Sequence, residues 1–401
     1  MTRPLAGSVS AIGITPESTY LTVPVTSTQI GVATTNPARF GNVLPGGGII
    51  PTPKTQKPSV IDANYVPTQH FHLANEYKGG FSGFIDPEVM YYPMRAHFGR
   101  AVQTTAQAAT TLLSAAYKHV FTPVRKTATC VIEEKFEDGD YGRVTAGCVF
   151  DRMSFTLGDV LGYEFGVTGH AQVPNTYDSA GVKTDYDFTS SAANLPSRMG
   201  GASTKTTTSP SFVDIAQGNQ GNGALAFAGQ AYGAESGFGA TILTINGSSF
   251  TNHKFLEGSK IDSVRTLVSN PVGGSGRDPE ALVCTQGMVT GTLNFTFEAS
   301  DLVLAALGHK KLAVNVKYIG SQIGTSGIYY AIEFYIPNAR VNSAPVRVSD
   351  TMLMVSLEFD AIYDASAGQD FKVSIWNSLT AAALGDVAGT YSGSMGGITV
   401  S

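Results

Sequence analysis

Met352-Leu-Met-Val-Ser-Leu-Glu-Phe359 decides the fold, because Leu353, Val355, Leu357 and Phe359 alternate with Met354, Ser356, Glu358 and Asp360. An apolar period of two is that of a strand with one face buried and the other wet. Val160-Leu-Gly-Tyr-Glu-Phe-Gly-Val167 repeats the pattern, setting Leu161, Tyr163, Phe165 and Val167 against Gly162, Glu164, Gly166 and Thr168. Tyr163-Glu164-Phe165 falls on Leu357-Glu358-Phe359 in register.

The segments before these two strands also correspond. Ala128-Thr-Cys-Val-Ile-Glu-Glu-Lys-Phe136, a Gly-containing turn and Arg143-Val-Thr-Ala-Gly-Cys-Val-Phe150 predict a hairpin. Leu312-Ala-Val-Asn-Val-Lys-Tyr-Ile319, a Gly/Ser turn and Tyr329-Tyr-Ala-Ile-Glu-Phe-Tyr-Ile-Pro-Asn338 predict another. Earlier still, Phe81-Ser-Gly-Phe-Ile85 and Thr290-Gly-Thr-Leu-Asn-Phe-Thr-Phe297 read as strands, each leading into a helix signal.

The first helix signal is Asp86-Pro87-Glu88, a cap, a proline at the first helical position and an acid in the first turn, with Gly99 as the stop. Pro93 inside it predicts a kink or a broken first turn. The second signal is Ser300-Asp-Leu-Val-Leu-Ala-Ala-Leu307, closed by Gly308. Strand, capped helix, hairpin, loop and strand in one order, twice, reads as a duplication.

Composition agrees with a mainly β chain. Gly occurs 45 times in 401 residues and charged residues are only 14%, against a usual ~25% charged, so short strands, turns and polar uncharged surfaces are expected. Residues 1–70 read as an extended N-terminal arm, 71–170 as a first unit, 171–240 as a Gly/Ser/Thr-rich linker or surface insertion, 241–378 as a second unit and 379–401 as a flexible tail.

Net charge is −5 and no run of five or six Lys and Arg is present, which argues against tight binding of nucleic acid. A mild negative balance suits nucleic acid passing a repelling wall. No stretch of ~18 apolar residues occurs and none follows the N-terminal charge, so neither a membrane span nor a signal peptide is expected.

No motif carries chemistry. His70-Phe-His72 has no third ligand nearby, and the acidic run from Glu133 to Asp140 lacks the order of a calcium loop, with Asp138-Gly139 reading as a hairpin turn. Pro45-Gly-Gly-Gly and Gly273-Gly-Ser-Gly276 are not followed by Lys-Ser/Thr and a helix, so they read as turns. Cys130, Cys148 and Cys284 form no CxxC; buried thiols are expected, with Cys130 and Cys148 placed to meet on neighbouring strands. No catalytic, metal or cofactor-binding residue is assigned.

Tyr117-Lys-His119-Val-Phe121-Thr-Pro123 and Gly147-Cys148-Val-Phe-Asp-Arg-Met-Ser154 resemble segments of the tail tube proteins of long-tailed bacteriophages. Thr290-Gly-Thr-Leu and Ile336-Pro337-Asn338-Ala-Arg340-Val341 resemble that family's matching segments, so the likeness covers residues 70–170 and 240–378. The resemblance implies a non-enzymatic virion protein made of two tandem β-sandwich or barrel modules, each with a short flanking α-helix. It further implies assembly in the host cytoplasm and self-association into rings that stack axially as a hollow tail tube.

On that reading phage DNA transits the lumen without tight binding, the other partners are tail proteins, and no membrane is involved. Two modules per chain imply a trimeric, pseudo-hexameric ring, with a hexamer of whole chains as the alternative. Glu133, Glu164, Lys317 and Glu358, chosen from strand alternation, are expected to face the lumen or a subunit interface. The competing expectation is a carbohydrate-binding or adhesive β-sandwich of a virion or cell surface, which would display aromatic clusters on its loops; a hydrolase is a third.

Overall fold

The computed structural model describes residues 9–16, 39–41, 47–56, 71–85, 90–99, 102–107, 116–123, 129–136, 142–157, 162–169, 171–172, 176–177, 183–184, 231–232, 240–245, 248–250, 258–270, 281–296, 311–323, 329–349 and 352–377. The first half holds β1 (Val9–Pro16), β2 (Arg39–Gly41), β3 (Gly48–Gln56), β4 (Phe71–Phe84), α1 (Tyr91–Phe98), β5 (Val102–Gln107), β6 (Ala116–Phe121), β7 (Cys130–Phe136), β8 (Gly142–Leu157) and β9 (Gly162–Gly169). Short strands follow: β10 (Ala171–Gln172), β11 (Thr176–Tyr177), β12 (Lys183–Thr184), β13 (Ala231–Tyr232), β14 (Ala240–Ile245) and β15 (Ser248–Phe250). The second half continues with β16 (Ser259–Asn270), β17 (Ala281–Thr296), β18 (Lys311–Gln322), β19 (Tyr329–Ser343), β20 (Val346–Ser349), β21 (Met352–Ala361) and β22 (Lys372–Asn377).

The strand predictions from period-two alternation hold where the residues are described. Tyr163, Phe165, Val167, Val355, Leu357 and Phe359 are buried while Glu164 and Glu358 are exposed. Leu353, exposed near the end of its hairpin, and Thr168, buried although alternation sets it on the polar side, are exceptions.

Pairing order recurs between the halves. Antiparallel pairs run β1, β7, β8, β9, β4, β3 in the first and β14, β18, β19, β21, β17, β16 in the second. The halves do not stand apart, however. β8 pairs with β16 and β6 pairs with β22, so 20 strands form one sheet.

This corrects the expected pair of tandem sandwich or barrel modules, each with its own flanking helix. β8 spans 16 residues, about 50 Å at ~3.3 Å per residue, and so has room for β7, β9, β10 and β16 along its two edges. The pairings among the described residues never return on themselves, so the sheet is open and not a barrel. One α-helix occurs among the described residues; the helix expected over residues 300–307 lies outside them.

The core is shared as well. One apolar cluster runs from Ile14 and Ile49 through Phe155 and Ile261 to Phe334 and Phe371. Phe155 meets Phe334 at 4.7 Å between ring centroids, and Phe98 of α1 meets Phe371 at 5.7 Å. Burying each such ring contributes about 1.5–3 kcal/mol, and here rings from both halves bury one another.

α1 begins at Tyr91, later than its sequence signal. Pro93 is thereby the third helical residue, where the missing N–H would have had no intrahelical partner, so no kink is needed. Gly99 closes the helix at φ 97, its N–H donating to the Arg95 carbonyl at 2.9 Å; a left-handed φ there favours glycine.

Candidate functional site

Period-two alternation delivers every second side chain of β4, β9, β8, β16, β17 and β21 to one face of the shared sheet. The registers align these into rows. One row runs Ser82, Glu164, Ser154, Asp262, Thr290, Asp360 and Arg340. The next, two residues along each strand and three along β19, where the register shifts, runs Gly162, Thr156, Lys260, Thr292, Glu358 and Ser343. The first row holds no large apolar residue, whereas the second continues past Gly162 to Phe84 of β4.

The charges on this face interleave. Arg152 stands between two carboxylates, Nη1 3.8 Å from Glu164 Oε1 and Nη2 3.8 Å from Asp262 Oδ1, and Lys260 Nζ lies 2.6 Å from Asp262 Oδ2. Further along, Ser343 Oγ donates to Glu358 Oε2 at 2.9 Å and Asn342 Nδ2 donates to Asp360 Oδ2 at 2.8 Å. Four carboxylates (Glu164, Asp262, Glu358, Asp360) face three cations (Arg152, Lys260, Arg340), so the surface is charged yet close to neutral. Such a surface is well hydrated without a field strong enough to hold a polyanion.

Of the four residues singled out by alternation, Glu164 and Glu358 share this face, on strands separated by β8, β16 and β17. Lys317 sits elsewhere. It lies on β18 with its Nζ 4.6 Å from the Trp376 ring centroid, and Lys118 Nζ lies 4.4 Å from the same centroid. Burial pulls the Lys118 pKa below its ordinary value; Glu333 opposes that, and Lys372 and Lys317 add to it. Glu133 lies on β7 opposite Val144 and Gly13, and its side chain falls outside the described residues.

Sequence reasoning missed Arg152, Lys260 and Asp262. Lys260 and Asp262 alternate with Ile261 and Ser263, a signal of a wet face, but nothing local says that β8 lies beside them. It also missed His97. The Phe150 carbonyl can only accept, so His97 Nδ1 donates to it at 2.7 Å, leaving Nε2 to accept from the Ser263 hydroxyl at 2.8 Å. Burial, with the Arg265 guanidinium adding, pulls the His97 pKa down to about 3 against the Phe150 bond, so the ring is neutral.

Among the described residues no group of three or more His, Cys, Asp and Glu is placed to hold a metal ion; the His70 side chain, the His72 side chain and the turn at residues 137–141 lie outside them. Cys130 and Cys148 are paired across β7 and β8 and both are buried, the Cys130 thiol donating to the Cys148 carbonyl at 3.6 Å and the Cys148 thiol to the Thr145 carbonyl at 3.2 Å. Trp376 is buried and flanked by lysines instead of being displayed, against an adhesive surface. No described helix is long and apolar enough to cross a membrane.

Comparison with known proteins returns one family. The family model described as phage tail tube protein matches residues 7–361. No curated protein matches the chain.

Proposed function

Because this chain belongs to the phage tail tube protein family, we propose that its recurring strand order lets three copies close into a ring of approximate sixfold symmetry, with six whole chains as the alternative. The protein is a structural, non-catalytic component of the virion tail. It self-assembles into stacked rings that form the hollow tube through which phage DNA passes, and it meets other tail proteins there.

The observation that supports the finer reading is the polar face shared by both halves. In the proposed ring this face lines the bore, with Glu164 and Glu358 at equivalent positions in successive strand sets. Its interleaved charges suit a wall past which a polyanion slides, since Arg152 and Lys260 each lie within 4 Å of a carboxylate. Lys317, held against Trp376, belongs in this arrangement to a contact between subunits; Glu133 is assigned to the bore or to such a contact. Assembly takes place in the host cytoplasm before the virion is complete.

Closing the rings also accounts for open strand edges, which otherwise recruit further chains without limit. Electron microscopy of the purified protein tests the reading: rings or tubes are expected, and averaged images should carry threefold symmetry of whole chains. A sixfold repeat of whole chains would remove the trimer.

A further inference from the structure

β6 of the first half pairs with β22 of the second, and β19 and β18 continue that sheet. On one face of these four strands the registers gather lysines. Lys118 lies opposite Trp376, and Lys372 lies opposite Tyr335. Between them Ser374 lies opposite Glu333, which lies opposite Lys317 on its other side.

The ammoniums rest on aromatic rings. Lys118 Nζ is 4.4 Å and Lys317 Nζ 4.6 Å from the centroid of the Trp376 ring, and Lys372 Nζ is 4.6 Å from that of Tyr335. A ring quadrupole attracts an ammonium but leaves its charge in place.

Glu333 is the single carboxylate in the four strands. It is already shared, with Oε1 accepting from Asn315 Nδ2 at 3.1 Å and Oε2 lying 3.9 Å from Lys118 Nζ. Three ammoniums against one carboxylate leave a surplus of two positive charges, in a chain whose net charge is −5. The cations described elsewhere are better matched, Lys78 at 3.5 Å from Glu76 and Lys260 at 2.6 Å from Asp262.

A second observation falls at the same place. Ser374 is fully buried, and its hydroxyl has no hydrogen-bond partner among the described residues. Alternation along β22 sets it on the face of Lys372 and Trp376, between the two ring-bound groups of lysines. A hydroxyl shut away from water without a partner is costly, so this donor lacks an acceptor where the lysines lack an anion.

We propose that Lys118, Lys317, Lys372 and the Ser374 hydroxyl form a binding site for inorganic phosphate. A hydrogen phosphate dianion matches the surplus of charge, and its oxygens, arranged as a tetrahedron, can take up the ammonium and hydroxyl donors together. A carboxylate carries one charge on two oxygens, and so does each phosphodiester of a nucleic acid, so both leave charge and donors unmatched. Lys118 comes from the first half and the other three groups from the second, so the bound anion stabilises the β6–β22 join in the folded chain. All four groups belong to one chain, and the site does not rest on ring closure.

Titration calorimetry of the full-length chain before assembly, with inorganic phosphate added at constant ionic strength against chloride, tests the site. One saturable site per chain is expected. Lys317→Gln should weaken it by about tenfold or more and Ser374→Ala by about threefold, while Lys78→Gln, which removes the same charge elsewhere, leaves it unchanged. Acetylation of amines, read by mass spectrometry, probes the wild-type chain directly. Saturating phosphate should slow modification of Lys317 and Lys372 severalfold and leave Lys78 as it was.

Absence of saturable binding, or binding weakened alike by Lys317→Gln and Lys78→Gln, overturns the site. Should Lys317→Gln fail to fold, acetylation of the wild type decides, and equal rates with and without phosphate overturn the proposal. Protection of these lysines by a DNA oligomer but not by phosphate overturns it too, in favour of a nucleic-acid contact.

Discussion

His97 Nε2 accepts a hydrogen bond from the Ser263 hydroxyl at 2.8 Å across 166 positions of sequence. His97 is on the helix of the first half, Ser263 is on β16 of the second, and both are buried. The bond lies directly under the β8–β16 junction, with the other ring nitrogen held by Phe150 of β8.

Removing either partner therefore loosens the join between halves. Ser263→Ala should lower stability by about 1–2 kcal/mol, because the imidazole loses its donor in a dry site. His97→Ala should cost more, about 3 kcal/mol, since it adds a cavity to two broken hydrogen bonds. Denaturant midpoints of the purified subunit measure both. Equal midpoints for wild type and Ser263→Ala would show that the bond contributes nothing.

His97 also sets a pH response. Its folded pKa of about 3 lies below the unfolded value near 6.5, so the unfolded chain binds the extra proton in acid. Stability from the neutral ring is fully present above pH 6.5 and is lost as pH falls toward 3, by at most about 1.4 kcal/mol per pH unit. Asp151 works in the opposite sense, its pKa raised by burial despite the Thr168 hydrogen bond. His97→Gln keeps a polar group without a titration in this range, so its stability should fall less steeply between pH 6.5 and 4. Parallel curves for the two proteins would contradict the assignment.

Gly291 and Gly287 share β17 and separate packing from backbone effects. A Cβ at Gly291 would run into the ring of Phe359, the residue directly opposite, with Cε2 and Cε1 at 2.8 and 2.9 Å. At Gly287 nothing lies within 4 Å. Gly291→Ala should destabilise by about 1–3 kcal/mol through overpacking, while Gly287→Ala should stay within about 0.5 kcal/mol of wild type. Thermal unfolding of the two variants side by side reads the difference.

Glu164→Lys combined with Glu358→Lys turns the polar face strongly basic. Both side chains are exposed, and the Glu164–Arg152 pair contributes at most about 1 kcal/mol, so folding and tube formation should persist. Genome delivery, scored as infectivity of phage carrying normal-looking tails, should drop. Unchanged infectivity would place both residues away from the bore.

Strands, hairpins and wet faces were legible without coordinates because they rest on neighbours two residues apart. Tyr163, Phe165, Leu357 and Phe359 point inward and Glu164 and Glu358 outward, as alternation predicts. The capping signal Asp86-Pro87-Glu88 lies outside the described residues, and the described helix begins at Tyr91. Of the candidate residues, Glu164 and Glu358 come to one face while Lys317 does not. Alternation reports which side of its own strand a residue takes and is silent on which layer that strand joins.

Sequence alone determined the mainly β character, the recurrence of one strand order and the lack of a recognisable reaction centre, all of which follow from local periodicity and residue chemistry. Tertiary structure alone decided that the two halves share one sheet and one core. A strand's edge must be satisfied by some other strand, and the partner of β8 is β16, more than a hundred residues away in sequence. That choice depends on which long edge is open and which apolar faces can be buried together, a sum over the whole chain that no short stretch encodes.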